Sequence, residues 1–400
     1  MMRDPINHVT SVNQGTAIDP SLWNKLRDED KDEASVASVS LTYWQDVSRR
    51  FRKNKAAMLG AIIIVLLILF ALIGPLLSKH SYEEQNLSFA NMPPRFDLYQ
   101  VGDQYLYLHK NIKLYETTAD GTLLELMSKN KEDMVKKQLV YTTISGDVIV
   151  DYSKKNTLIL KDAKGNTLET VKNVSNQTYL LGTDHLGRDL LTRIMYGARI
   201  SLLVAVIAAL VNLVIGMMYG GIAGYFGGKV DNIMMRIVDV VSIIPLTLYV
   251  ILIMVVLNSG LLSIIIALGS VYWVDMARIV RGQMLSLKEE EFVYAAKTIG
   301  TKPLQIITRH LLPNAMGSII VTMTMLIPSA IFIEAFMSFI GLGVTAPMAS
   351  WGTLCNEALE SIRSFSYQLF FPAIAICITM IAFNFIGDGL RDALDPRLRK

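Results

Sequence analysis

Charge is scarce in this chain: Asp, Glu, Lys and Arg make up 18% of 400 residues against 52% hydrophobic ones, and mean hydropathy is +0.38. Such a balance excludes a soluble globular protein and points to an integral membrane protein. Cysteine is scarcer still. Cys355 and Cys377 are the only two, and a membrane interface is expected between them, so neither a disulfide framework nor a cysteine metal cluster is supported. His185 and His310 stand singly, without ligand spacing, and there is no HExxH and no GxSxG. A phosphate loop is also missing. Gly228-Lys229 is followed by Val230, and Ala223 stands where the first loop glycine would be, so the GxxxxGK[ST] pattern fails twice. Energy for any active process is expected to come from another protein. Finally, the first 50 residues are polar and carry no cleavable signal pattern, which leaves targeting to the first spanning helix.

What is present is hydrocarbon in long runs. Stretches able to cross about 30 Å of bilayer core lie near 57–77, 200–224, 237–257, 261–280, 316–342 and 368–387. The fold class read from them is an α-helical polytopic membrane protein with six transmembrane helices and both termini cytoplasmic. Arg49, Arg50, Arg52, Lys53 and Lys55 before the first run hold the N-terminus inside by the positive-inside rule. Lys229, Arg236, Arg391, Arg397, Arg399 and Lys400 then fall inside as well. Arg188, Arg193 and Arg199 oppose this bias, close to the outer end of the second run.

Between the first two runs the composition changes. Residues 80–181 are rich in Tyr, Thr, Lys and Asn, with alternating runs at 104–108, 147–150 and 157–160 and turn signals at Ala119-Asp120-Gly121, Ser145-Gly146-Asp147 and Lys164-Gly165-Asn166. This reads as a small, mostly β extracytoplasmic domain; a solvated loop is the alternative. Residues 1–55 read as a cytoplasmic tail ending in a basic amphipathic helix on the inner leaflet, with Tyr43, Trp44, Val47 and Phe51 on its apolar side. A plain start of the first span, 56–79, is the other reading of those residues.

One long polar stretch interrupts the apolar second half, at 282–314. Phe292, Ala296 and Ile299 are spaced as a helical stripe, with Ala295 and Ala296 making it small. Gly300 follows as a left-handed cap, Thr301 as the next N-cap and Pro303 as a first-turn proline, and Leu304, Ile307 and Leu311 restart the stripe. Helix, sharp turn and helix together offer a compact alanine face to a cleft on another protein. Within the spans, Asp239, Glu334 and Asn384 are costly in hydrocarbon and are candidates to line a pathway. Glu334 could instead bond a neighbouring subunit. Asp239 and Asp275 could form interfacial ion pairs, Asp275 with Arg278 or Arg281.

The loop spacing Ala-Ala, three residues, Gly, then Leu312-Pro313 resembles the coupling loop of ABC importer permeases, although that family usually has Glu where this chain has Tyr294. Four further segments, 181–202, 223–245, 338–352 and 384–397, are similar to the C-type subunit of the peptide and nickel branch. The resemblance covers the first span and nearly all of 182–400, which reads as the permease core with helices 2–6. It implies a permease subunit of an oligopeptide or dipeptide importer in the bacterial cell membrane, not itself an enzyme. Implied partners are a second permease, two ATPase subunits carrying ATP and Mg, an external lipid-anchored binding protein and peptide; no cofactor, metal or nucleic acid is implied on this chain. Contact with the ATPases would fall on Glu291, Tyr294, Ala295, Ala296, Gly300, Pro303, Leu312 and Pro313. Alternatives are a nickel permease, an ion-gradient transporter using Asp239 or Glu334, and a receptor.

Overall fold

The computed structural model describes residues 42–154, 157–258 and 260–395. The acidic tail before them and Arg397, Arg399 and Lys400 lie outside the described residues. Residues up to Asp46 form a unit of their own, of which the described part is the first turn of helix α1 (Tyr43–Lys53). From Val47 the chain belongs to the main body, where Val47 is buried with Ala393 and Leu394. Asn54 separates α1 from α2 (Lys55–Leu77): its side chain accepts hydrogen bonds from the amides of Ala56 and Ala57, a side-chain N-cap. The basic helix is thus distinct from the span, not its first turn.

Among the described residues, five helices are long and apolar enough to cross a membrane, six if one bent pair counts as a single span. They are α2, α3 (Leu190–Phe226), α6 with α7 (Leu261–Val271, Trp273–Leu287), the run Pro303–Leu342, and α12 (Tyr367–Leu394). The bent pair is α4 (Gly228–Ile243) and α5 (Leu246–Leu257), which meet at 85°. Two expectations change here. The second span begins ten residues before the expected 200, because Asp189 caps it through the Thr192 amide and Arg193 is neutralised within it. The expected single span at 237–257 is a pair of helices from Gly228 to Leu257, parted at Ile244-Pro245, where Pro245 supplies no N–H to continue the ladder and disfavours helical Ile244.

Helix α3 packs against α7 along a glycine seam. A Cβ on Gly216 would stand 2.5 Å from Met276 Cβ, one on Gly220 2.3 Å from the Ala277 carbonyl oxygen, and one on Gly224 2.6 Å from Met284 Cβ. Small residues every four positions let the two backbones touch. The bent pair is fastened more sparsely: Tyr219 Oη donates to Met234 O, and Arg278 and Arg281 reach Ser242 and Asp231. Its apolar side chains Ile233, Ile243, Leu252, Val255 and Val256 remain exposed.

Between α2 and α3 the described residues form nine strands in two antiparallel sheets. One has the order β4-β3-β2-β1-β9, comprising Leu123–Leu126, Lys113–Thr117, Gln104–His109, Arg95–Val101 and Thr170–Ser175. The other has the order β5-β6-β7-β8, comprising Lys129–Asp133, Gln138–Thr143, Gly146–Asp151 and Ile159–Asp162. Alternation along β2 and β3 buries the first sheet on both faces. Leu106 and Leu114 meet Tyr141, Val148 and Val150 of the second sheet, whereas Tyr107 and Tyr115 meet Phe96, Met92 and Tyr179.

The sheets are joined to the helices by hydrogen bonds. Tyr367 Oη donates to the carbonyls of Met92 and Thr183, and Gln368 Nε2 donates to Asn91 Oδ1 and Thr183 O. His109 is fully buried; its Nε2 lies 2.9 Å from Asn91 O, its Nδ1 accepts the Asn111 amide, and its ring stacks on Phe365. Gly187 sits in the same joint at φ +73, where a Cβ would come 1.9 Å from Asn86 O.

Candidate functional sites

The polar stretch folds as anticipated in outline and differs in which side chains it shows. Helix α8 (Glu291–Thr298) ends in a Schellman turn: the Thr301 amide donates to Ala296 O and the Gly300 amide to Lys297 O, with Gly300 at φ +79. The next helix, α9 (Pro303–Gln305), is capped by Lys302, not Thr301, because Lys302 is the last extended residue before Pro303. A π-helical turn, Ile306–Leu311, leads into α10 (Leu312–Met337). Pro313 has no N–H for the Arg309 carbonyl, and the Leu312 amide reaches back to Ile307 O, so the wider turn accommodates the proline.

The buried stripe of α8 is Val293 and Ala296, packed on Met284, Ile306, Ile307 and Leu311. Of the stripe expected to face a partner, Phe292 and Ile299 are 37% and 82% exposed and Leu304 is 64% exposed, but Ala296 is buried. An eight-residue helix with apolar residues on both sides can bury only one; the small Ala296 and slim Val293 fit against the bundle. Ala296 is therefore structural, while Ala295, Tyr294, Ile299 and Leu304 face outward. Glu291, Gly300, Pro303 and Pro313 are also exposed, and Leu312 is half-buried. Tyr294 Oη donates to Glu289 at 2.7 Å, and that bond pushes the phenol's pKa up. The tyrosine thus tethers a carboxylate beside the alanines. Asp231 on α4 takes both Nε and Nη2 of Arg281 on α7, at 2.5 and 2.6 Å, and so ties the bent pair to the helix leading into this element.

At the opposite end of the bundle, Asp184 bonds Arg188 Nε at 2.6 Å and Arg193 Nη1 at 2.7 Å, and Glu357 joins both arginines. Asp184 and Glu357, with exposed His185, approach each other closely enough to share an ion, but both carboxylates are committed to guanidinium groups. Arg199 is also occupied, donating to the carbonyls of Ala71 and Leu72.

The pathway candidates separate. Glu334 is fully buried and accepts from Ser201 at 2.9 Å and Ser338 at 2.8 Å, with Ser350 beyond, which joins α3 and α10 to α11 (Trp351–Glu357). Asp239 is exposed and meets Arg278 at 3.4 Å, and Arg278 also lies 3.8 Å from Asp275. Asn384 is exposed on α12 and lines a groove of about 360 Å³ with Tyr272, Ser329 and Phe332. Sequence reasoning missed Tyr272 and Ser329, and it offered Arg281 to Asp275 where the structure pairs it with Asp231. An uncommitted polar residue in a hydrocarbon run was the available signal for the first two.

Residues 213–400 match the family described as binding-protein-dependent transport system inner membrane component. Residues 42–94 match the N-terminal TM domain of oligopeptide transport permease C. The oligopeptide transport system permease protein OppC of Bacillus subtilis (strain 168) is 41% identical over 92% of this chain and 94% of its own length. The dipeptide transport system permease protein DppC of the same organism is 43% identical over 95% of this chain and 94% of its own. OppC of Escherichia coli (strain K12) is 36% identical over 89% and 92%.

Proposed function

The chain belongs to the inner-membrane permeases of binding-protein-dependent ABC importers, in their oligopeptide and dipeptide C-type branch, and from this we propose that it forms half of a peptide pathway driven by separate ATPases. The observation that carries the reading is the elbow at Glu291–Gln305. Its inner side is locked to the bundle by Val293, Ala296, Ile306 and Ile307, and its outer side presents Tyr294, Ala295, Ile299 and Leu304 to a partner. A rigid base with an uncovered apolar crest suits transmission of a push from an ATPase cleft into α7 and α10, which biases the bundle between two access states. No cofactor is needed on this chain.

The elbow faces the cytoplasm in this reading. Lys229, Arg236, Lys288, Lys297, Lys302 and Arg309 gather at its end of the bundle, while Arg188 and Arg193 at the other end are neutralised by Asp184 and Glu357. The segment before the second span is over 100 residues long, and such segments cross largely regardless of charge, Arg199 included. The sheet domain then stands outside the cell, where it would meet the binding protein. The names of the relatives favour peptide over nickel. An ion-gradient mechanism is poorly served by Asp239, held in an exposed ion pair, and by Glu334, enclosed by serines.

The test is Ala295→Trp in the complete transporter reconstituted with its binding protein. Peptide uptake should be lost at normal membrane level, and wild-type uptake should require the ATPases and survive an uncoupler. Full ATP-driven uptake by the variant, or labelling of the elbow only from outside the cell, would overturn the reading.

A further inference from the structure

Each of the three polar residues in the 360 Å³ groove stands well inside its own span: Tyr272 in Leu261–Leu287, Ser329 in Pro303–Leu342 and Asn384 in Tyr367–Leu394. None of the three side chains has a hydrogen-bond partner among the described residues. Three threonine hydroxyls in these helices satisfy themselves. Thr322, Thr324 and Thr379 each donate to a carbonyl of their own helix. Polar groups left open at this depth must meet water, solute or protein, because hydrocarbon offers them nothing.

Three other properties of the groove define its occupant. It opens away from the chain, since Ser329, Phe332 and Asn384 are exposed. No charged residue lines it. Its remaining surface includes Met325, Met380 and Phe332, and methionine adapts to irregular shapes. An amide and two hydroxyls can each donate and accept, which is the complement of a chain of peptide N–H and C=O groups. A lining without charge cannot sort peptides by the charge of their side chains.

We propose that Tyr272, Ser329 and Asn384 form a neutral hydrogen-bonding row that takes the main-chain amides of a peptide in transit. The inference rests on the peptide reading above. It makes the row a determinant of acceptance of a peptide backbone, independent of sequence.

The experiment uses the complete transporter in proteoliposomes with acidic, neutral and basic tripeptides and a tripeptide N-methylated along its backbone. In Asn384→Leu with Ser329→Ala, apparent KM should rise about tenfold, the size expected for two lost hydrogen bonds, and by a similar factor for all three unmodified peptides. The N-methylated peptide should be taken up poorly by wild type and lose little further. Should the double variant fail to assemble, Tyr272→Phe carries the same test with a rise of about threefold for the one bond removed. Unchanged KM in a well-assembled variant, or a loss confined to one charge class, overturns the inference alone. A wild-type transporter that moves no peptide overturns the substrate reading and this inference with it.

Discussion

Glu334 illustrates how a carboxylate is tolerated deep in a bundle. Two serine hydroxyls, from Ser201 on α3 and Ser338 one turn away, donate to it, and Ser201 also receives the Trp351 amide. The residue joins two helices and a short helix in one polar knot. Glu334→Ala should cost about 3 kcal/mol, combining a cavity with stranded hydroxyls, whereas Glu334→Gln should keep most of the stability. Membrane level and melting temperature of the two variants check this; equal losses would count against a hydrogen-bonding role. The sequence made Glu334 legible as an expensive residue and hid its partners, because Ser201 is 133 positions away. Asp239 was legible in the same way, and its Arg278 partner was weighed only for Asp275. The Tyr294–Glu289 hydrogen bond was not legible either, since it appears only once the helix turn brings the two together.

At the scale of elements, periodicity located the helices and misjudged their faces. In α8 the residues at 292, 296 and 299 satisfy a stripe as well as those at 293 and 296 do; the bundle selects the second because Met284 and Ile307 leave room for Val293 and Ala296. Gly300 was readable because a left-handed turn needs a residue without a Cβ. A Cβ there would meet nothing within 4 Å, so only backbone strain opposes Gly300→Ala. Its expected cost is about 1 kcal/mol, with normal membrane level and reduced uptake, measured in the same vesicles. Uptake at the wild-type rate would mean that the angle of the elbow does not matter. Pro245 stands inside an apolar run, where a proline interrupts the helical ladder, but the 85° turn between α4 and α5 exceeds anything composition alone expresses. The α3–α7 seam is half visible in the sequence: Gly216, Gly220 and Gly224 stand one turn apart in an apolar run, but their partners Met276, Ala277 and Met284 appear only in the fold.

For the whole molecule, the order of apolar runs and the intervening strand-rich segment could be read directly, since hydropathy and turn residues are local properties. How the sheets sit on the helices could not, because the joint uses residues as distant as Asn91, His109, Thr183 and Gln368. His109 gives that joint a pH dependence. Burial lowers its pKa from the ordinary 6.5, so the unfolded chain takes up a proton more readily than the folded one. Stability is then complete above pH 6.5 and falls as pH drops below it, by at most about 1.4 kcal/mol per unit. Lys161 and the Ser153 amide hold Asp151 far below the usual carboxylate range, which keeps that pair out of the same interval. Melting temperature between pH 7.5 and 5 should fall in wild type and flatten in His109→Gln; parallel curves would exclude the histidine.

The folded-back pair Gly228–Leu257 carries a further implication for the cell. Ile233, Leu252, Val255 and Val256 are uncovered along it, and its polar ties to its neighbours are few. If the second permease proposed above covers that flank, a chain made without it is an orphan open to membrane proteases: pulse-chase labelling should show rapid turnover when the chain is made alone and a long half-life when both permeases are co-expressed, and equal half-lives would mean that the flank meets lipid alone.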